Sequence, residues 1–555
     1  MRLPTPTPVG AALDAAPWWA EGDFPVRAGV AGHPLIDGRA AMLAMCRAFL
    51  SAQQYILLAG WDIRADLQMV RGEDAHVGDD GSAEQSELIA ELRKEGLSEE
   101  AIALWNASSL QVRDVLGFAA QRGVNVGVLL WDSPSLGVHL TNDPPEQQKL
   151  LAEVGVDCLL DNSAMKITHL LEALHQKCAV VDGRIAFVGG IDLTLQANGD
   201  YDRWDTHYHP AESAERGSAH TASMHPWHDA HMRIEGPVVA DVQRNITQRW
   251  MEVAERRDGP VWPGSLPTET PAPVAGGAEA QIIRSIPKNT YAFAPDGITT
   301  IREAYMRAVN AAQRFIYLES QYLWPEVYRG VDTLLLGGRS EELAAFLDAL
   351  GDALNRGVMV GIVLPDHPNC GRRFTDAGID ELRERATDAG AKDRLLTLTL
   401  GADSLSDEAP GGMFYRPVYV HAKVGIVDDR WLTVGSANLN SRGFGGDAEM
   451  NISLADPRVA AELRLALWME HLQASLQEGA ALHDVDAGFT ALREQAEANF
   501  ARVNTRQAMQ GHALPYITIA EGERRGVSID PEHGWLDCLE GGSGPMPEDY
   551  QGRYL

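Results

Sequence analysis

An internal repeat constrains this chain more than any other feature of its sequence: three apolar blocks recur in the same order in its two halves. In the first half a helical pattern with Leu43, Cys46 and Leu50 on one face runs into the strand-like YILLAGWDI; in the second, Ile298, Ile301 and Tyr305 run into FIYLESQYLW. RGVNVGVLLWD at Arg122 is matched by RGVMVGIVLPD at Arg356, and HQKCAVVDGRIAFVGG from His175 by HAKVGIVDDRWLTVGS from His421. Short apolar runs that follow helical segments fit strands buried on both faces. The pattern predicts an α/β fold class: two tandem α/β repeats with mixed β-sheets flanked by helices, related by pseudo-twofold symmetry, with the active site at their interface.

The domain reading follows from the repeat. Residues 1–32 form an N-terminal extension, 33–257 the first repeat and 280–475 the second. Pro260, Pro263, Pro267, Pro271 and Pro273 mark residues 258–279 as a linker, since this composition continues neither a helix nor a central strand. Residues 476–555 read as a C-terminal helical segment and an acidic tail. A polar insertion over residues 72–105 has no counterpart in the second half and is expected to be a solvated excursion rather than a substrate lid.

Charge and hydropathy narrow the function. The formal charge of -31 has the wrong sign for gripping a polyphosphate backbone, so no nucleic-acid partner is expected. Apolar stretches such as YILLAG and GVLLW fall far short of the roughly 18 residues of a membrane span. The start, MRLPTPTPVG, carries no Sec-type signal pattern, and Cys46, Cys158, Cys178, Cys370 and Cys538 form no disulfide framework or CxxC pair. A cytoplasmic or membrane-peripheral location is the default expectation, and export by a non-Sec route is compatible with the same sequence.

Read as strands, the two HxK blocks place His175, Lys177, Ala179 and Val181 on one face, and His421, Lys423, Gly425 and Val427 on one face of the other. Imidazole, ammonium and a small residue make a phosphate seat, with Ala179 or Gly425 leaving room beside the lysine. Asp182 and Asp428 fall on the opposite parity, at turns, where they are placed to fix strand ends. The next strands end in GGID, with Asp192, and GSAN, where Ser436 or Asn438 could donate to a phosphoryl oxygen. A phosphodiester needs a nucleophile on one side and a proton donor on the other, and two histidines, one neutral and one protonated, supply both near their ordinary pKa of about 6.5. Asp229 and Glu449 are the acidic candidates for their second ring nitrogens. His207, His209, His220, His225, His228 and His231 crowd one region without a tight ligand motif, so they read as structural or substrate-facing, and no metal site is expected. Trp61, Trp131, Trp204, Trp227 and Trp324 near strand ends read first as core, with some lining a lipid cleft.

HxKxxxxD followed by GG or GS, twice in one chain, resembles the phospholipase D superfamily. FVGGIDL, PWHDAHMRIEGPVVADV, AYMRAVNAAQRFIYLESQYL, VYVHAKVGIVDDR and GSANLNSRGF resemble blocks of the eukaryotic-type catalytic core, in the family's order, from about Pro34 to Leu472 and without its lipid-targeting domains. The resemblance implies a chemical step through a phosphohistidine with no cofactor. His175 would be the nucleophile and His421 the general acid, although the symmetry of the sequence alone allows either assignment. Lys177, Lys423, Asn438 and Ser436 would hold phosphoryl oxygens, Asp229 and Glu449 would orient the histidines, and Asp182 and Asp428 would complete the two motifs as supports. Asp192 stands where the superfamily often has Asn, which weakens it as an oxyanion donor, and Glu319-Ser320-Gln321 stands where the family usually has Glu-Asn-Gln.

The expected function is that of a phospholipase D acting on glycerophospholipids at a membrane surface, with transfer to an alcohol as a side reaction. The alternatives are a phosphatidyltransferase of the cardiolipin synthase type, a superfamily nuclease and a non-catalytic lipid-binding protein. Lipid housekeeping and delivery as a toxin into rival cells, which would bring an immunity protein as partner, fit the same core.

Overall fold

The computed structural model describes residues 17–539 except 76–82, 134–140, 164–171, 196–201, 217–224, 258, 260–261, 263–269, 327–337, 368–370, 408 and 530–533. The first half runs β1 (Arg27–Ile36), α1 (Asp37–Ser51), β2 (Tyr55–Gly60), α2 (Ala83–Lys94), α3 (Glu99–Ala107), α4 (Val112–Gln121), β3 (Asn125–Trp131), α5 (Pro144–Ala152), β4 (Asp157–Asp161), β5 (Cys178–Val181), β6 (Ile185–Gly189), β7 (Trp227–His228), β8 (Ala230–Glu235) and α6 (Val239–Arg257). Its strands pair in the order β4–β3–β2–β5–β6–β8–β1, with β2, β3 and β4 parallel and the rest antiparallel.

The second half runs β9 (Ala278–Ile286), β10 (Ile298–Thr299), α7 (Thr300–Ala311), β11 (Phe315–Glu319), α8 (Glu341–Asn355), β12 (Met359–Val363), α9 (Arg372–Arg385), β13 (Leu395–Leu405), β14 (Met413–Val420), β15 (Val424–Val427), β16 (Trp431–Gly435), β17 (Glu449–Ala455), α10 (Pro457–Leu472), α11 (Leu476–Gly479), α12 (Val485–Asn504) and β18 (Ala513–Pro515). The order β13–β12–β11–β15–β16–β17–β9 repeats that of the first half, strand for strand and direction for direction. Antiparallel pairing of β1 with β9 joins the two sets into one large mixed sheet system.

Period-two alternation divides each strand between two cores. Leu57, Val180, Tyr317 and Val424 point into a core shared by both halves, together with Trp250 of α6, Trp468 of α10 and Phe489 of α12. Ile56, Leu58, Ala179 and Val181 face α1 to α5 on one outer side, and Ile316, Leu318 and Val427 face α7 and α8 on the other. Strands buried on both faces explain why the sequence shows continuous apolar runs rather than alternation.

Two expectations are revised. The 72–105 insertion is not simply a solvated excursion: it contains α2 and α3, and Leu92, Ala101, Ile102 and Trp105 are buried against α1, with residues 76–82 outside the described part. Beyond residue 476 the chain is more than an appended helix, because β18 adds antiparallel to β13 and α12 enters the shared core. A strand of three residues is too short to announce itself by periodicity. Residues 540–555, read as part of an acidic tail, lie outside the described residues, as does half of the proline-rich segment between Arg257 and Ala278. Within that segment Trp262 packs edge-on to Trp250 with ring centroids 5.6 Å apart, directly over Gly127, where a Cβ would come within 2.1 Å of the indole.

Asp182 and Asp428 occupy equivalent turns in the left-handed region, with φ of 52° and 56°. The Asp182 carboxylate accepts from the backbone N–H groups of Gln53, Gln54 and Tyr55 at 2.8–3.0 Å. Asp428 accepts from Gln313, Arg314 and Phe315, each at 2.8 Å. Each aspartate thus ties the turn after one motif to the start of the central parallel strand beside it. Replacing Asp182 by Gly keeps the positive φ free of strain and deletes these bonds together with an ion pair to the exposed Arg184 side chain at 3.1 Å. The variant is expected to lose about 2–4 kcal/mol, read as a fall of several degrees in Tm, with a smaller fall for Asp428→Gly, whose bonds lie nearer the surface. Melting within about 1 °C of wild type for both would show that other contacts hold the strand ends.

Candidate active site

The two motif histidines are not in the strands the alternation argument gave them. β5 starts at Cys178 and β15 at Val424, so each His-x-Lys lies in the extended segment just before its strand. There the backbone pairs with the opposite half instead of its own sheet. The His175 N–H donates to Ala448 O at 3.0 Å, and the Ala448 N–H donates to Ala173 O at 2.9 Å. In the other copy Tyr419 and Val420 pair in parallel with Trp227 and His228, and the His421 N–H donates to His228 O at 2.8 Å.

The residues that follow Ala448 and His228 are the two acidic candidates, and the crossed ladders deliver each to the other half's histidine. His175 Nδ1 lies 2.9 Å and 3.0 Å from the two carboxylate oxygens of Glu449. His421 Nδ1 lies 2.7 Å from Asp229 Oδ2. Carboxylates at both Nδ1 atoms fix the proton there and leave each Nε2 as a lone pair. Glycine at 190 makes room for Asp229, since a Cβ at that position would come within 2.1 Å of Asp229 Oδ1.

Lys177 Nζ donates to His175 O at 2.6 Å and meets Asp192 Oδ2 at 3.2 Å, while Lys423 Nζ donates to His421 O and lies 3.4 Å from Gln321 Oε1. Asn438 donates to the same Gln321 oxygen at 3.3 Å. Gln321 and Trp61 occupy matching positions, two residues beyond Glu319 and Ala59. The Trp61 ring lies 5.7 Å from Lys177 Nζ and meets the His175 ring edge-on at 6.1 Å. From the sequence, Trp61 reads only as one of the tryptophans of the core or a lipid cleft and Gln321 only as part of a family block, with no role for either beside a lysine; their place just past the central strands of the repeat is the signal that could have given one.

Three site readings change. Ser436 does not present its hydroxyl as a free phosphate donor: Oγ donates to Glu449 Oε2 at 2.5 Å and accepts from the Met450 N–H at 3.1 Å, so it braces the carboxylate behind His175. Asp192 is an acceptor, taking the N–H groups of Trp61 and Asp62 at 3.2 Å and 3.3 Å on one oxygen and Lys177 on the other. Ala179 and Gly425 leave no space for phosphate, because Ala179 sits in the helix-side core and Gly425 faces the rings of Tyr305 and Trp431. The cause is the parity change where each chain segment leaves the crossed ladder and joins its strand.

Burial dominates the electrostatics. It pushes both imidazoles well below the ordinary histidine value, and the positive charges of Lys177 and Lys423 add to the effect on each. Burial also brings Lys423 down to about 7 and raises the carboxyls of Asp229 and Glu449. Both rings are therefore neutral without ligand, and the His175 side chain keeps 16% of its surface open to solvent against 7% for His421.

Of the crowded histidines, His225 stacks edge-on with His367 at 4.8 Å and His231 packs behind Ile191. His207 is exposed, and His220 lies outside the described residues. His209 and His228 belong to a buried polar cluster directly behind Asp229, whose N–H donates to Asp37 Oδ1 at 3.1 Å. Among the named tryptophans, Trp227 stacks on Tyr419 at 4.5 Å and lies 4.8 Å from the His421 ring, while Trp131, Trp204 and Trp324 are buried.

A family model described as Phospholipase D matches residues 102–328 and 413–529, and one described as Cardiolipin synthase, PLD-like domain, matches residues 306–469. The chain is 27% identical over 561 residues to phospholipase D alpha 1 of Oryza sativa subsp. japonica, covering 79% of this chain and 65% of the relative. It is 23% identical over 624 residues to phospholipase D beta 2 of Arabidopsis thaliana, covering 87% of this chain and 62% of the relative. The chain thus spans less than two thirds of the length of these relatives. Phosphatidylserine synthase of Haemophilus influenzae Rd KW20 is a similar solved structure, with a TM-score of 0.46, 12% identity, and coverage of 87% of this chain and 96% of that one. No helix among the described residues is long and apolar enough to cross a membrane.

Because the His175 pKa is lowered, its neutral form persists as pH falls through the ordinary value of about 6.5 and gains a proton only below it. Nitrogen-15 NMR of histidine-labelled protein is expected to show His175 as the neutral Nδ1–H tautomer at pH 6.5; a ring half-protonated at or above that pH would contradict the geometry.

Proposed function

From the premise that this chain belongs to the phospholipase D family, we propose that it cleaves the terminal phosphodiester of glycerophospholipids at a membrane surface, giving phosphatidic acid and a free headgroup. The crossed pairing of two histidines with two carboxylates is the observation that carries this reading. It leaves the Nε2 of each ring free of the carboxylates, with Lys177 and Lys423 near enough for their charge to act on both rings, a constellation suited to double displacement at phosphorus once His421 has gained a proton.

In the first step His175 Nε2 attacks phosphorus, its Nδ1 proton held by Glu449 as the ring gains positive charge. As the anionic substrate binds, its charge lets the buried His421 take up a proton from solvent at Nε2; the P–O bond to the headgroup then breaks and His421 gives that proton to the leaving oxygen. In the second step His421 removes a proton from water, or from an alcohol, whose oxygen displaces His175 from phosphorus. Lys177, Lys423 and Asn438 stabilise the charge that develops on the phosphoryl oxygens. The residues that act here need no cofactor for either step. The charge of -31 favours a zwitterionic headgroup over an anionic surface.

Two measurements test the reading. With phosphatidylcholine vesicles and a few per cent ethanol, wild type is expected to release choline and form phosphatidylethanol, and His175→Ala and His421→Ala each to lose at least about a thousandfold in rate. With a p-nitrophenyl phosphodiester, whose leaving group needs no proton, His421→Ala should release one equivalent of nitrophenolate in a burst and stall, and His175→Ala should give no burst. The reverse pattern would exchange the two roles, and wild-type turnover of a nucleic acid but no lipid would move the function to the nuclease branch.

A further inference from the structure

Behind the active site, four side chains from four separate segments converge without reaching solvent. Asp37 opens α1, His209 lies in the loop before β7, His228 ends β7 and Glu470 lies near the end of α10; all are fully or almost fully buried. Their donor atoms all lie within 4.8 Å of one another. Around the ring, His209 Nε2 is 3.1 Å from Glu470 Oε1, Glu470 Oε1 is 2.8 Å from His228 Nδ1, His228 Nδ1 is 3.2 Å from Asp37 Oδ1, and Asp37 Oδ2 is 3.6 Å from His209 Nε2.

We propose that Asp37, His209, His228 and Glu470 hold one divalent zinc-class cation in a closed four-coordinate site. A tetrahedral ion with bonds of about 2.0–2.1 Å separates its ligand atoms by about 3.3–3.4 Å, within the 2.8–3.6 Å span of these separations. Two imidazole nitrogens and two carboxylate oxygens are a donor set that zinc accepts. Hydrogen bonding alone serves these atoms poorly. The single N–H that His228 Nδ1 can carry is approached by both Asp37 and Glu470, Glu470 Oε1 is approached by both rings, and buried Asp37 Oδ2 accepts no hydrogen bond.

The opposite nitrogens supply a second, independent line. His228 Nε2 lies 2.9 Å from Glu319 Oε2, and His209 Nδ1 lies 3.4 Å from Asp205 Oδ2. A carboxylate on the far nitrogen sets the tautomer and raises the basicity of a ligating imidazole. The ligands are scattered over positions 37, 209, 228 and 470, which is why no spacing motif marks them. With no open position the site is structural. It joins α10 of the second half to the first half, and through Asp37 Oδ1 it anchors the N–H of Asp229, the partner of His421.

The test uses the full chain expressed in zinc-supplemented medium. Elemental analysis after gel filtration is expected to find about one zinc per chain. X-ray absorption is expected to show four nitrogen or oxygen neighbours near 2.0 Å with imidazole outer-shell scattering. In His209→Gln and Glu470→Gln, metal content should fall at least tenfold, with a lower Tm that added zinc no longer raises. These readouts do not depend on the lipid activity, so that reading and this one fail separately. Folded wild type holding less than about a tenth of an equivalent of any divalent metal, with a Tm insensitive to zinc and to prolonged chelation, would overturn the proposal and leave the cluster as an imidazolium–carboxylate network. Zinc bound through sulfur, or retained undiminished by both variants, would overturn it equally.

Discussion

The crossed pairing of His175 with Glu449 and of His421 with Asp229 is the constraint on which the rest of this structure depends. Each half supplies a histidine that the other half orients, so neither half contains a finished site. The backbone is arranged to the same end. Short parallel ladders between Ala173 and Ala448, and between Val420 and His228, bring each carboxylate to its ring before any substrate arrives. A shared apolar core that includes α6, α10 and α12 then holds the halves together at the depth where the ladders cross. Preorganisation of this kind places the cost of burying charge in the folding of the whole chain rather than in each turnover.

That cost is considerable. Two lysines, His421 and four carboxylates, counting Asp192 and Asp37, are buried in and behind the site, with His175 only partly open to solvent. Each is matched by a specific partner, and the mismatches are informative. Burial lowers the imidazoles and Lys423 and lifts the carboxyls, so the resting site carries less charge than its formula implies. The acidic exterior and the cationic centre are thus separate electrostatic regimes.

The sequence makes the repeat, the strand order's helical covering and all six motif residues legible, because buried strands leave apolar runs and the motifs recur in register. Asp182 and Asp428 were placed by parity as strand-end supports, and their carboxylates do cap the central strands. Three things were not legible for physical reasons. Which carboxylate serves which histidine depends on chain segments 274 and 192 residues apart meeting in ladders of two residues or fewer. The parity argument was extended through His-x-Lys into Ala179 and Gly425, but the chain changes hydrogen-bonding partner at Cys178 and Val424 and the alternation does not carry across. Ser436 read as a free hydroxyl since nothing in GSAN announces that a carboxylate thirteen residues later will claim it.

The repeat is symmetric in strand order but not in charge. Lys177 is paired with Asp192, a neutralised cation beneath the Trp61 ring. At the equivalent places Lys423 meets Gln321 and, through it, Asn438, both neutral. The excess positive charge therefore lies on the side of the second half, where burial has already made it expensive enough to bring Lys423 to about 7. The more open of the two rings, His175, belongs to the other half. Gly190 and Ser436 complete the contrast: the first leaves room for Asp229 to lean on its neighbours, the second ties Glu449 down by a hydroxyl. The more open ring, His175, has the carboxylate braced by a hydroxyl, and the more buried ring, His421, has the partner anchored in the buried cluster behind it.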